Sequence, residues 1–299
     1  MSSFERRTPG FDRITPTDAH IEHLATGLGF TEGPLWTGDS LLFTDIHRDR
    51  IARWRQGPEG PELTTFRWPS NLANGLTFDR ERRVLACEGA TRRLTRTELD
   101  GSVVIVADTY QGQRINSPND VIVAQDGAIY FSDPVWAKPP ANPSGASSAD
   151  ADLSFAGVFR VAPEGTLTVV VDDFEEPNGL ALSPDGTVLY VDDTHRRHVR
   201  AFDVNPDGSL ANGRVFADLR GEEPGPTDGM KVDVEGNLYC TGPGGIWVIS
   251  PRGEILGRIL TPEPAANVGW GDADWRSLYI TASTSIYRVR LSIPGVAVT

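Results

Sequence analysis

Short apolar runs come in pairs along this chain, and each pair is led by an acidic or amide residue. The leaders are Glu32, Asn74, Asn119, Asn178, Asp228 and Asn267. Each opens a near-copy of one text: Glu32-Gly33-Pro34-Leu35, Asn74-Gly75-Leu76, Asn119-Asp120-Val121-Ile122, Asn178-Gly179-Leu180, Asp228-Gly229-Met230 and Asn267-Val268-Gly269-Trp270. About ten or eleven residues later a second run follows, as in Leu41-Leu42-Phe43-Thr44, Ile129-Tyr130-Phe131-Ser132 and Leu189-Tyr190-Val191-Asp192. Such runs, rich in Val, Ile, Tyr and Phe and bounded by Gly, Pro and Asp, predict β-strands. No segment sustains a 3.6-residue period, so no substantial helix is expected.

The leaders are spaced by 42, 45, 59, 50 and 39 residues, the size of a four-stranded propeller blade. The pattern predicts an all-β fold: a six-bladed β-propeller with four antiparallel strands per blade, forming one domain over residues 1–299. In the fourth unit the strands are expected at Leu180–Leu182, Val188–Val191, Val199–Val204 and Arg214–Ala217, with tight turns at Ser183–Gly186 and Asn205–Gly208. Pro, Asp and Gly suit those turns because they supply fixed or positive φ. Asn212-Gly213 reads as a further hairpin turn. The sixth unit lacks its fourth strand, whereas His20–Ala25 is a strand without a unit, so the two should pair and remove an open edge. Residues 1–18 read as an N-terminal extension. If the first strand of each blade starts at the top, all six leaders share that face with the loops joining second and third strands. The 59-residue spacing contains an insertion, 134–155, rich in Ala, Ser and Pro. It reads equally as a lid-like loop over the top face, with Trp136 its contact to substrate, or as a mobile loop with no role.

Composition narrows the partners. The chain has 299 residues, long enough to bury about three quarters of its unfolded surface without staples. Its net charge of −13 disfavours nucleic acid, which needs clustered Lys and Arg, and anionic membrane surfaces. No apolar run is long enough for a membrane span, and the first ten residues carry no apolar signal core. Cys87 and Cys240 fall in the second and fifth units, opposite one another in a ring of six and too far apart for a disulfide. They read as buried thiols of a reducing compartment, and the expected location is cytoplasmic. Oligomeric state is not encoded in any readable feature.

Two carboxylates and four amides aimed at one axis suit a hard cation such as Ca²⁺, because the carboxylates balance its charge and the amides add oxygen ligands. The rival reading is that the Asn-Gly pairs are simply turn residues. No Gly-x-Ser-x-Gly elbow, His-Glu-x-x-His helix, phosphate loop or EF-hand loop occurs. Serine, zinc and nucleotide mechanisms of the common kinds are thereby removed.

The wider text carries a resemblance. Phe30-Thr31-Glu32-Gly33-Pro34-Leu35-Trp36, Asn116-Ser117-Pro118-Asn119-Asp120-Val121, Pro177-Asn178-Gly179-Leu180 and Thr227-Asp228-Gly229-Met230-Lys231-Val232-Asp233 resemble, in order, the motifs of the gluconolactonase family. That family includes regucalcin and relatives of diisopropyl fluorophosphatase. The similarity runs from about Leu24 to Leu291. It implies a six-bladed propeller with one divalent cation in the central channel, Ca²⁺ foremost, with Zn²⁺, Mn²⁺ or Mg²⁺ as options. The matching ligands are Glu32, Asn119, Asn178 and Asp228. Asn74 and Asn267 are not ligands in the family pattern and would line the channel or touch substrate, as would Asn116 and Asp120. Mammalian members carry an Arg where this chain has Ser117, so the bacterial sugar-lactonase pattern is the nearer one.

The implied reaction is opening of a sugar lactone, with the ion polarising the carbonyl and Asp228 as base or nucleophile. His47, His195 and His198 are top-face alternatives for proton transfer. Two other functions fit the same residues: an organophosphate or ester hydrolase, and a calcium-binding propeller without catalysis.

Overall fold

In a computed structural model the described residues are 3–135 and 151–298. They form six antiparallel sheets arranged as the blades of a propeller, with a separate two-stranded ribbon of Thr109–Tyr110 and Gln113–Arg114. Blade one is Thr31–Trp36, Leu41–Asp45, Arg50–Gly57 and Gly60–Arg67. Blade four is Pro177–Leu182, Val188–Asp193, His198–Val204 and Leu210–Asp218. Strands are called a to d from the axis outward. Blade six, Ala265–Gly271, Ser277–Ala282 and Ile286–Arg290, takes its strand d from Ile21–Ala25. Ile21 pairs with Val289 and His23 with Tyr287, so the expected joint between the two ends of the chain is present.

The apolar pattern explains why the sheets stand face to face. Buried side chains sort into six clusters, one at each blade–blade interface. Leu41, Phe43 and Trp54 of blade one meet Tyr279 and Ile286 of blade six, and Phe131 and Phe159 stack at 5.3 Å between blades two and three. Each fully buried Leu, Ile or Phe contributes about 1.5–3 kcal/mol, so the ring is held chiefly between sheets. Cys87 and Cys240 are buried and unbridged.

One local expectation gains detail and another is corrected. Ahead of the propeller, Phe4–Arg6 pairs with Ile255–Leu260 as a fifth strand on blade five, and Pro9–Ile14 is a short helix. Phe11 and Ile14 anchor that helix in the core between blades five and six. Asn212-Gly213 is not a hairpin turn. It lies inside strand d of blade four, where the register skips a residue and Asn212 takes φ 53°. The turn had already been made by Asn205–Gly208, so the Asn-Gly pair makes a bulge instead.

The far end of the channel is crossed by the C-terminal tail. Val296 N–H donates to Val232 O at 3.2 Å, Val234 N–H to Pro294 O at 3.0 Å, and Arg82 Nη1 to Val298 O at 3.0 Å. Among the described residues no helix is long and apolar enough to cross a membrane.

Candidate functional site

The six leaders stand at the axis end of strand a in their blades and are all buried, none more than 7 % exposed. In blades one, two, four and six, strand a slips register at or beside the leader, between Glu32 and Leu35, Ala73 and Leu76, Pro177 and Leu180, and Ala265 and Asn267. A bulge of this kind re-aims a side chain out of the pleat. In blade three, Asn119 N–H donates to Ser132 O at 2.9 Å just ahead of the regular strand.

The glycine that follows four of the leaders has a steric reason. A Cβ on Gly33 would lie 2.4 Å from Asn74 O, and one on Gly179 would lie 2.3 Å from Asp228 O. Gly75 abuts Asn119 and Asp120, and Gly229 abuts the Asn267 amide. Inner strands of neighbouring blades therefore touch through bare backbone. Gly75 N–H donates to Asn119 O at 2.7 Å, and Gly229 N–H to Ala266 O at 2.8 Å.

The amides divide by what they already bond. Asn267 spends both atoms: Nδ2 donates to Glu32 Oε2 at 2.8 Å and Oδ1 accepts from Val268 N–H at 2.8 Å. Asn178 Nδ2 donates to Thr194 Oγ1 at 3.0 Å, which leaves its oxygen as the available donor atom. Asn74 Oδ1 is buried without a hydrogen-bond partner. Asn116 is buried farther out. Its Nδ2 donates to Phe155 O at 3.0 Å on the returning limb of the insertion, and its Oδ1 is unpartnered.

The carboxylates crowd one another. Glu32 Oε2 also accepts from Gly33 N–H at 2.8 Å. Burial pushes the Glu32 carboxyl above its ordinary range, against the Asn267 and Gly33 hydrogen bonds and with the Asp120 charge adding to the rise. Burial, then the charges of Glu32, Asp192 and Asp120, drives Asp228 well above the usual carboxylate range. Asp228 Oδ1 and Asp120 Oδ2 are both buried without hydrogen-bond partners. A carboxyl placed as Asp228 is must hold a proton or a cation.

A hard cation fits that donor set. Among the described residues no three His, Cys, Asp or Glu side chains form a metal cluster by themselves. The residues that could hold an ion are two carboxylates, Glu32 and Asp228, with the amides of Asn119 and Asn178, an oxygen chemistry suited to Ca²⁺ or Mg²⁺.

Other expected residues fall elsewhere. Trp136 and most of the 134–155 insertion lie outside the described residues. His195 is exposed and pairs with Glu175 at 3.1 Å, and His47 packs against Phe30 at 5.8 Å. His198 is partly buried, which lowers its pKa.

Two groups of acids escaped the sequence reading. Asp192 occupies the strand-b position held by Thr44, Ser132 and Thr281 in other blades. Burial, then Asp193 and Asp120, raises it well above the carboxylate range. The residue ending strand b is acidic in four blades: Asp45, Glu88, Asp133 and Asp193. These fasten the top loops. Asp133 accepts Asn116 N–H and Ser117 N–H, both at 2.7 Å, and Asp193 accepts Glu175 N–H at 2.9 Å and Arg196 N–H at 3.0 Å. Their signal was a second column in the same repeat.

Comparison with known proteins follows the same residues. The sequence model of the SMP-30/Gluconolactonase/LRE-like region matches residues 30–284. The chain is 31% identical over 316 aligned residues to a gluconolactonase of Zymomonas mobilis, covering 96% of this chain and 86% of that one. It is 27% identical to a pentonolactonase of Haloferax volcanii, covering 84% and 81% respectively. The solved structure of a gluconolactonase from Xanthomonas campestris superposes with a TM-score of 0.86 at 32% identity, over 96% of this chain and 94% of that one.

Proposed function

Because the chain belongs to the SMP-30/gluconolactonase/LRE-like family, we propose that it is a metal-dependent lactonase that opens a sugar lactone by hydrolysis. The observation that carries this reading is the crowding of Glu32 and Asp228 at the axis, with Asp228 Oδ1 left without a hydrogen-bond partner. One divalent cation, Ca²⁺ foremost, would be held by Glu32, Asn119, Asn178 and Asp228. When bound it would supply Lewis-acid polarisation of the lactone carbonyl and stabilise the oxyanion.

The chain's own residues do the rest. Asn267 and Gly33 fix Glu32 through their hydrogen bonds, and Thr194 fixes Asn178. Asp228 removes a proton from the water that bonds to the carbonyl carbon, or attacks that carbon itself to form an acyl-enzyme that water then hydrolyses. In either case the ring C–O bond breaks, the leaving ring oxygen takes up a proton, and the hydroxy acid is released. Asn74, Asp120 and Asn116 carry buried oxygens without partners and are the polar contacts for substrate hydroxyls, with Trp136 approaching from the insertion. The substrate partner is thus a small hydroxylated lactone.

The test is acid release from glucono-, xylono- and arabinono-lactone and from a fluorophosphate. The chelated protein is assayed with Ca²⁺, Mn²⁺, Mg²⁺ or Zn²⁺ restored in turn. Metal-dependent turnover of a sugar lactone is expected. Turnover confined to the fluorophosphate would move the activity to phosphoester chemistry, and none with any substrate would leave a binding protein.

A further inference from the structure

At the end of the channel opposite the leaders, strands a of several blades and the C-terminal tail line an open cavity of about 510 Å³. That volume lies within the range of small-molecule sites. Apolar side chains form much of its wall, among them Phe78, Ile122, Leu182, Val232, Trp270 and Val298. The charged side chains among the described lining residues are Arg80 and Lys231, with no Asp or Glu. This is a reversal of sign in a chain of net charge −13.

Lys231 is underemployed there. Its side chain is only 19 % exposed. Its Nζ donates to Met230 O at 2.9 Å and forms an ion pair with Asp120 Oδ2 at 3.8 Å, beyond hydrogen-bond length. An ammonium has three N–H donors, so two of them are left for a ligand even with Asp120 balancing part of its charge. A carboxylate at hydrogen-bond distance would complete that shell.

We propose that this cavity is a second small-molecule site, taking a compact organic anion whose carboxylate pairs with Lys231 and whose apolar body lies against Leu182, Val232 and Trp270. The class is a medium-chain carboxylate, and octanoate is the probe. The cavity opens at the end away from the leaders, but Lys231 also pairs with Asp120, so binding and not lactone turnover is the readout.

Titration of the full chain with octanoate, followed by calorimetry and tryptophan fluorescence, tests this. Saturable one-to-one binding with a dissociation constant of about 1 mM or tighter is expected, worth about 4 kcal/mol. Octanol shares the body but lacks the charge, and should bind at least about tenfold more weakly, a difference of about 1.4 kcal/mol. Leu182→Glu, which sets a carboxylate in the cavity away from the leaders, should weaken octanoate by a similar factor while keeping the unfolding temperature within a few degrees. Lys231→Met should weaken octanoate by a similar factor. Absence of saturation, equal binding of octanol and octanoate, or unchanged affinity in a folded Leu182→Glu protein would each overturn the proposal.

Discussion

Asn267 donates its side-chain N–H to Glu32 Oε2 at 2.8 Å, joining blade six to blade one across 235 residues of sequence. The same amide receives Val268 N–H on its oxygen, so its orientation is fixed from within its own strand. Replacing it with Ala leaves a buried carboxylate short of one of its two N–H donors. We expect Asn267→Ala to lower divalent-cation affinity by about 10–100-fold, the usual cost of losing a residue that orients a ligand. Calorimetric titration of the chelated protein measures it. Unaltered affinity would mean that Glu32 does not hold the ion.

Asp228→Asn should keep the fold and lose at least about a hundredfold in kcat. The folded pKa of Asp228 is raised above its unfolded value, chiefly by burial. Its contribution to stability is therefore complete below the unfolded value and is lost as pH rises through the folded one. Without metal, the Asn variant should gain in unfolding temperature over wild type as pH rises from about 4 towards 8. Added Ca²⁺ should stabilise wild type and not the variant. A pH-independent difference in chelator would contradict the assigned burial of this charge.

Asp133 is a fastening rather than a ligand. Burial pushes its pKa to about 7, opposed by the Asn116 and Ser117 N–H groups. Asp133→Ala would orphan both buried N–H groups, at about 1–3 kcal/mol each. Chemical denaturation should show a loss of roughly 2–5 kcal/mol, with lactone turnover falling alongside because Asn119 follows two residues after Ser117. Asp133→Asn, which retains one acceptor, should lose less.

Removing residues 1–18 strips strand Phe4–Arg6 from blade five and withdraws Phe11 and Ile14 from the core. The two side chains alone argue for a loss of about 3–6 kcal/mol, and the bared outer strand invites aggregation. Extending the deletion through Ala25 removes strand d of blade six as well and should abolish soluble monomer. Light scattering and thermal unfolding distinguish the two. Equal behaviour of the two proteins would show that Ile21–Ala25 does not hold the ring.

The propeller and its axis were readable because one six-fold text repeats, and a repeat fixes neighbours without any knowledge of contacts. The leaders' convergence follows from that alone. Phe4–Arg6 left no mark because its pairing uses backbone groups, which every residue carries. Asn212-Gly213 misled because the positive φ it provides serves a turn or a bulge equally, and only the preceding turn decides between them. Asp192 and Lys231 were invisible as site residues for another reason. Their importance comes from neighbours on other blades, Asp120 in both cases, and no linear pattern records that meeting.

The pairing of Ile21 with Val289 also sets a schedule. A growing chain emerges amino end first, so Glu32 leaves the ribosome long before Asn267 or strand Ile286–Arg290 is made. Blades two to five can fold as they appear, each against its predecessor. The ring of leaders cannot close until Asn267 and strand Ile286–Arg290 have been made, and until then the nascent protein is an open arc.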